Sequence, residues 1–423
     1  MIKKVRCVKK LGGEITIPSD KSISHRAVIL SSIAKGQTVV SNFSGGADCH
    51  STLELFKSLG IDIQFLNDNT LKINGGKLTP SVSGIYSCGN SGTTMRLVAG
   101  ILAGQNFNST LIGDESLSKR PMKRIIEPLT QMGAEIQSND GRAPLKIIGH
   151  KLHGIDFESK ISSAQVKSCV LLAGLKAEGR TTYVEPNMSR NHTELMLKYL
   201  GANIQTEQNK IIIYPSEPEA KDIEVVGDIS SAAFFIVAGL IVPNSEIIIK
   251  NVGINPTRTG ILDVVQRMGG DIGLINERTV SGEKCADIKV RYTDFLKGCV
   301  IEGEDIPRLI DELPVIAVLA SQAEGETVVR DAGDLRNKES DRISCLVNEL
   351  KKTGLDIEEN PDGFVVRKSK LTGDAELESF HDHRLAMSFY IAGLVCEKEI
   401  AINGFEWTKI SFPEFENLFN SLV

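Results

Sequence analysis

SDKSISHRAVILSSIA, residues 19–34, opens on small polar and charged side chains and runs into about ten apolar, helix-compatible residues. Five more stretches repeat the phrase: GNSGTTMRLVAGILAG at 89–104, SSAQVKSCVLLAGL at 162–175, GDISSAAFFIVAGL at 227–240, IDELPVIAVLA at 310–320 and HDHRLAMSFYIAGL at 381–394. A buried helix with an exposed polar N-terminus reads this way. Such an end offers free backbone N–H groups and roughly half a positive charge, so it suits anions. Six of them, several with their own Lys or Arg, predict a site that holds more than one anionic group.

A second phrase keeps step with the first. LFKSLGIDIQ ends at Gln64, LTQMGAEIQ at Gln137 and LKYLGANIQ at Gln205, with weaker copies VVQRMGGDIG ending at Gly273 and LKKTGLDIEE ending at Glu359. Their shared glycines, Gly60, Gly133, Gly201, Gly269 and Gly354, lie 73, 68, 68 and 85 residues apart. A Gly after the last apolar turn stops a helix, and the alternating residues beyond it read as a strand. Further strand-like runs start at Leu71, Leu145, Ile211 and Phe364. One repeat is thus a βαβαββ element of about 70 residues, longer than tetratricopeptide or ankyrin periods.

The ends of the chain set the domain layout. The sixth repeat stops at its second helix, FPEFENLFNSLV, whereas residues 2–17 supply strands ahead of the first polar phrase. The expectation is that these N-terminal strands complete the sixth repeat. That gives a continuous domain of three repeats, residues 19–225, and a split domain of three, 1–18 plus 226–423, with hinges near Pro18 and Val226.

Composition narrows the function. With 41% hydrophobic and 24% charged residues the chain reads as an ordinary soluble globular protein. A net charge of −6 argues against nucleic-acid binding, so any anion site must be a local concentration of cations. The eight cysteines show neither C-x-x-C nor zinc spacing, which points to a reduced, cytoplasmic setting. MIKKVRC has no apolar stretch behind it, and the longest apolar run, 232–243, is too short for a bilayer, so neither a secretory signal nor a membrane partner is expected. Neither a phosphate-binding G-x-x-x-x-G-K-[ST] nor a dinucleotide G-x-G-x-x-G occurs.

Charged clusters supply the candidate chemistry. Lys21 shares a helix face with His25, and Ser22 with Arg26. GDESLSKRPMKR brings Lys119, Arg120, Lys123 and Arg124 around Pro121, and KESDR puts Lys338, Glu339, Asp341 and Arg342 on one helix. Taken singly, each reads as a solvated, salt-bridged helix face, and Asp311, Glu312 and His383 read as ordinary helix-start residues. Position changes the weighting. Lys21, Asn90, Gln165, Asp311 and Arg384 occupy equivalent places at the N-terminal edge of the repeated helix, so facing domains would bring them into one cleft.

PSDKSISHRA, GNSGTTMR, GDESLSKRPM, SSAQVKS, GDISSAAFF, KESDR and DHRLAMS, in this order and over nearly the whole chain, resemble the motifs of the 5-enolpyruvylshikimate-3-phosphate synthase family. The resemblance implies an α/β fold of two domains, the inside-out α/β barrel of the enolpyruvyl transferases, with three βαβαββ repeats in each. It implies transfer of the enolpyruvyl group of phosphoenolpyruvate to the 5-hydroxyl of shikimate 3-phosphate, with release of phosphate, in the shikimate pathway to chorismate and the aromatic amino acids. No metal or organic cofactor enters that chemistry. The expected partners are those two small molecules, for a cytoplasmic monomer that binds neither nucleic acid nor membrane.

By resemblance, Glu339 serves the methylene carbon, Asp311 the 5-hydroxyl, and Lys21 joins them as a catalytic residue. Shikimate 3-phosphate falls to Lys21, Ser22, Arg26, Ser163, Ala164, Gln165, Arg190, Asp311 and Lys338. Phosphoenolpyruvate falls to Lys21, Asn90, Gly92, Arg120, Gln165, Arg342, His383, Arg384 and Lys409. Four anionic groups must be held, which suits bidentate, permanently charged arginines. Domain closure would assemble the site and exclude water. Gly92, lacking a methyl group, is expected to leave room for the inhibitor glyphosate. The sequence departs from the family at Ala164, where some members have a second serine, and at Leu97, where many have proline. Arg190 stands where others carry serine, and Lys409 lies one residue further from its F-P pair. Two alternatives are enolpyruvyl transfer to a UDP-sugar and a noncatalytic anion-binding scaffold. The first lacks its loop cysteine in GDESLSKRPM; the second is opposed by the joint presence of Lys21, Asp311, Glu339 and Arg384.

Overall fold

All six polar-then-apolar stretches form helices: Lys21–Ile33, Gly92–Ala103, Ala164–Gly174, Ile229–Ile241, Leu313–Ala320 and His383–Gly393. A computed structural model describes all 423 residues. These helices are buried almost all round; Leu313–Ala320 is buried at every position and Gly92–Ala103 at all but Thr93. A helix apolar on every side belongs in the middle of a domain. The strands, by contrast, alternate, as in Arg142–Ile148, where every second residue is exposed up to Lys146. Helices inside and half-exposed sheets outside are the inside-out α/β arrangement.

The chain divides into two compact units, Ser19–Val226 with Thr279–Glu283, and Met1–Pro18 with Gly227–Arg278 and Lys284–Val423. In the first unit each repeat makes one four-stranded sheet, built the same way three times. In the second repeat, Ile85–Ser87 lies parallel to Ser109–Ile112, which is antiparallel to Arg142–Ile148, itself antiparallel to Glu135–Asn139. The buried helix makes the crossover that a parallel pair requires. The first repeat borrows its parallel edge strand from the far end of this unit, where Ile223 pairs with Val40. That pairing closes the three-repeat array on itself.

The other unit repeats the scheme but uses the N-terminus differently from the sequence expectation. Ile2–Val5 does complete the sixth repeat, antiparallel to Ile400–Asn403. Gly12–Thr16 instead runs parallel to Glu246–Gly253 and completes the fourth repeat, with Ile15 opposite Ile249. Ile15 and Ile249 are both buried, and the short 6–11 segment carries the chain from one sheet to the next. Strand pairing is decided by which sheet lacks an edge partner, and a short apolar strand carries no label for that.

Glycine fixes two recurrent features. Gly60, Gly133, Gly201, Gly269 and Gly354 all adopt positive φ, between 80° and 95°, as the helix-stop position demands. At Gly100 a Cβ would overlap the Cys169 carbonyl, so only glycine lets Gly92–Ala103 pack this closely on Ala164–Gly174. The chain ends in an aromatic cluster where Phe412, Phe415 and Phe419 pack on Phe235. No helix is long and apolar enough to cross a membrane.

Candidate active site

The helix ends differ from the sequence expectation in one respect. Asp20, Ser91, Ser163, Asp228 and Asp382 each turn a side chain back to accept from a backbone N–H of their own first turn. Five of the six repeated helices thereby engage one or two of the free N–H groups at their start with their own cap.

In the Ser19–Val226 unit, Lys21 pairs with Asp48 and keeps 43% of its side chain exposed. Burial pushes the Asp48 carboxyl up, but the Lys21 charge and hydrogen bond outweigh it and leave it below its ordinary value. Ser22 offers its carbonyl to Arg26 Nη1 at 2.8 Å. Arg26 also donates through Nε to Thr193 Oγ1 at 2.7 Å and through Nη2 to Ser168 Oγ at 3.0 Å. Burial, partly offset by Glu194 and Asp20, lowers this guanidinium to about 10. His25 leaves the polar cluster altogether. It is fully buried, with Nδ1 2.6 Å from Thr52 Oγ1, and burial followed by the Lys21 charge lowers it to about 3.

A cationic patch forms around Gly92. Arg120 Nη2 donates to Asn90 Oδ1 at 2.7 Å, and Asn90 Nδ2 donates to Asp114 Oδ2 at 2.6 Å. Arg96, not singled out from sequence, is 7% exposed and donates through Nη1 to Gln165 Oε1 at 2.5 Å and through Nη2 to the Pro121 carbonyl at 3.3 Å. Gln165 Nε2 in turn donates to Thr93 Oγ1 at 3.0 Å, which fixes its amide. Arg96 has no carboxylate partner. Burial, then the charges of Arg124 and Arg120, lower it to about 10. A buried cation surrounded by other cations is stabilised by an arriving anion. The signal available in the sequence was its spacing: Arg96 lies four residues after Gly92, on the same helix face. Ser163 caps its helix, Ala164 opens it, and Ser163, Ala164 and Arg190 are all half-buried.

In the other unit, Arg342 is the hub. Its side chain is 1% exposed, yet it meets three carboxylates: Asp382 from Nε at 2.7 Å, Glu339 from Nη2 at 2.5 Å and Asp311 from Nη1 at 3.5 Å. Lys338 Nζ lies 3.6 Å from the same Asp311 oxygen. Burial lowers the Arg342 guanidinium, but Asp382, Glu339 and Asp311 together raise it above its ordinary value. Glu339 shows the opposite balance: burial raises it, while Arg342 and His383 pull it down to about 2. Its side chain is nevertheless 44% exposed, so an ionised carboxylate is presented outward. Burial followed by the Arg384 charge lowers His383 to about 4, which keeps that imidazole neutral. Arg384 Nη1 donates to the Asp311 carbonyl at 3.1 Å. Lys409 lies in the short Phe405–Ile410 helix, exposed and apart from this network.

Behind the hub stands Arg336, also unremarked in the sequence. It donates to Asp341, Ser344, Glu359 and the carbonyls of Asn360 and Pro361, pinning the segment that carries Lys338 and Glu339. Asp382, not singled out from sequence, both caps His383–Gly393 and anchors Arg342.

Comparison with known proteins gives the family of the chain. The family model described as EPSP synthase (3-phosphoshikimate 1-carboxyvinyltransferase) matches residues 5–419. The chain belongs to the EPSP synthase family. A 3-phosphoshikimate 1-carboxyvinyltransferase of Thermoanaerobacter sp. is 51% identical over 100% of this chain and 99% of its own length. The solved EPSP synthase of Acinetobacter baumannii superposes with a TM-score of 0.93 at 41% identity, covering 100% of this chain and 98% of the other. The enolpyruvyl transferase NikO from Streptomyces tendae shares the fold, with a TM-score of 0.80 at 16% identity, over 100% of this chain and 97% of its own.

Proposed function

We infer that the protein transfers the enolpyruvyl group of phosphoenolpyruvate to the 5-hydroxyl of shikimate 3-phosphate and releases phosphate. One observation carries the assignment of roles: two carboxylates of unequal surroundings, Asp311 and Glu339, share the buried Arg342. The reaction needs one group to give and retake a proton at carbon and another to relieve a hydroxyl of its proton. Glu339 is assigned the first task and Asp311 the second. Protonation of the methylene carbon makes C2 of phosphoenolpyruvate electrophilic, and the 5-hydroxyl oxygen attacks there as Asp311 accepts its proton. Loss of phosphate and of one methyl proton, returned to Glu339, regenerates the double bond.

Glu339 is held ionised chiefly by the Arg342 charge beside it. Substrate carboxylate and phosphate at Arg342 and Arg384 would offset the Arg342 charge and raise Glu339 toward protonation. In this reading Lys21, Ser22, Arg26, Ser163, Ala164, Gln165, Arg190 and Lys338 hold shikimate 3-phosphate. Lys21, Asn90, Gly92, Arg120, Gln165, Arg342, His383, Arg384 and Lys409 surround phosphoenolpyruvate, and we add Arg96 as the residue that sets the Gln165 amide. The reading calls on residues of both units for one pair of substrates, and closure on shikimate 3-phosphate is part of the proposal. So are action as a monomer in the cytoplasm and the absence of any metal or cofactor step. Phosphate release from phosphoenolpyruvate, measured with shikimate 3-phosphate and separately with a UDP-sugar, tests it. Release with shikimate 3-phosphate alone is expected. Release only with the UDP-sugar, or with neither, would overturn it.

A further inference from the structure

Glu312 immediately follows Asp311 at the start of the Leu313–Ala320 helix, and it is the exception among the repeated helix ends. Its side chain makes no capping bond to its own helix. It is 1% exposed, and one of its oxygens, Oε2, is buried without a hydrogen-bond partner. Burying a carboxylate is costly, and an apolar residue of similar size would serve packing as well or better. A buried carboxylate released from capping therefore calls for another role.

Its contacts indicate that role. Oε1 accepts a short hydrogen bond from Ser230 Oγ and lies 3.9 Å from Arg384 Nη1. Ser230 Oγ accepts from Arg258 Nη2 at 2.8 Å, and Arg258 Nη2 also donates to Asp228 Oδ1 at 3.1 Å. A polar chain thus runs from Asp228 through Arg258, Ser230 and Glu312 to Arg384. It ends on the Asp311 carbonyl, to which Arg384 Nη1 donates. It ties together the N-termini of three repeated helices, Ile229–Ile241, Leu313–Ala320 and His383–Gly393.

We propose that Glu312 is a positioning residue for the transfer reaction, holding the Arg384 guanidinium against the Asp311 carbonyl so that the two keep one spacing. The proposal rests on the roles given above to Arg384 and Asp311. With Nη1 anchored, Arg384 keeps Nε and Nη2 for a substrate carboxylate, the bidentate mode in which arginine binds strongly. Without the anchor the substrate must itself order a long side chain. Ordering one such chain weakens binding about 2- to 10-fold. Burial raises the Glu312 carboxyl, with Arg384 and Arg258 opposing, so its surroundings are set by the same two arginines.

Steady-state kinetics of Glu312→Gln, Glu312→Ala and Ser230→Ala, with each substrate varied in turn, test this. Glu312→Gln keeps the size and an acceptor for Ser230 but turns an amide against the guanidinium, so it should fold while losing the anchor. We expect KM for phosphoenolpyruvate to rise about 3- to 10-fold in both Glu312 variants, and in the same direction in Ser230→Ala. KM for shikimate 3-phosphate should stay within about twofold, since the order gained at Arg384 concerns phosphoenolpyruvate. A folded Glu312→Gln with unchanged KM for phosphoenolpyruvate, or with both KM values raised alike, overturns the proposal while the assigned reaction stands. A wild-type protein that releases no phosphate overturns the assigned reaction first, and this proposal with it.

Discussion

Replacing Asp382 separates the structural from the catalytic part of the Arg342 hub. The Asp382 carboxylate is fully buried; it receives Arg342 Nε at 2.7 Å and Nη2 at 3.3 Å, Ser340 Oγ at 3.1 Å, and the backbone N–H of Arg384 at 2.9 Å. Removing one partner of a buried ion pair costs about 3–5 kcal/mol. Arg342 keeps Glu339 and Asp311 nearby, so the lower end, about 3 kcal/mol, applies. Loss of the cap adds about 1 kcal/mol. Asp382→Ala should therefore destabilise this unit by about 4 kcal/mol. Asp382→Asn retains a capping oxygen and should cost about 1 kcal/mol less. The assay is urea unfolding followed by circular dichroism and by fluorescence of the one tryptophan, Trp407, which lies in the same unit. Two probes are needed because the two units can unfold in separate steps. Catalysis should suffer in Asp382→Asn even where the fold survives, because Glu339 and Asp311 are both placed by Arg342; kcat/KM should fall about 10²-fold. An Asn variant within about 0.5 kcal/mol of wild type and near-normal in turnover would refute the claim that this pair anchors the site.

Glu339→Gln should lower turnover about 10²-fold or more with shikimate 3-phosphate binding retained; near-normal turnover removes Glu339 from the carbon-proton role. In Gly92→Ala the new methyl would lie 3.0 Å from Arg96 Nη1 and 3.6 Å from Arg120 Nη1, the movable ends of side chains, so stability should hold. Inhibition by glyphosate, measured against varied phosphoenolpyruvate, should weaken more than substrate affinity, and equal losses of both count against the space argument. His25 is lowered from 6.5 to about 3 by burial and then by Lys21, so the folded state refuses a proton that the unfolded chain accepts. Its contribution is present above pH 6.5 and is lost as pH falls toward 3, a gap of about 5 kcal/mol at most. His25→Gln should flatten the stability curve of the Ser19–Val226 unit in that window, and an unchanged slope would show that other groups govern it.

Several site features were legible because they are local. The helix-stop glycines repeat at matching places, and their positive φ is a property of the turn itself. Lys21, Arg342 and Arg384 stand in charged phrases at helix starts and Arg120 in one between two helices, where sequence spacing alone groups them. Arg96 escaped notice, and Glu312 read as an ordinary helix-start residue, because each sits in an otherwise apolar or dipole-favoured context that explains it without function. His383 read as a possible cap, but Asp382 is the cap, and its second task depends on Arg342, forty residues away in sequence.

The sequence by itself determined the six buried helices, the glycine stops, the repeat length and the charge inventory, since these follow from periodicity and backbone preference within a few residues. Tertiary structure decided the rest. It sent Gly12–Thr16 to the fourth repeat and Ile2–Val5 to the sixth, because an edge is filled by the strand that buries its apolar face there. It turned five helix starts inward on their own caps. It also set Glu339 at about 2 and His383 at about 4, because a group's charge state follows from burial and from which charges lie within a few ångströms. Arg342 beside Glu339 and Arg384 beside His383 are close in sequence, but Glu339 and His383 belong to different repeats, and only folding brings that pair together.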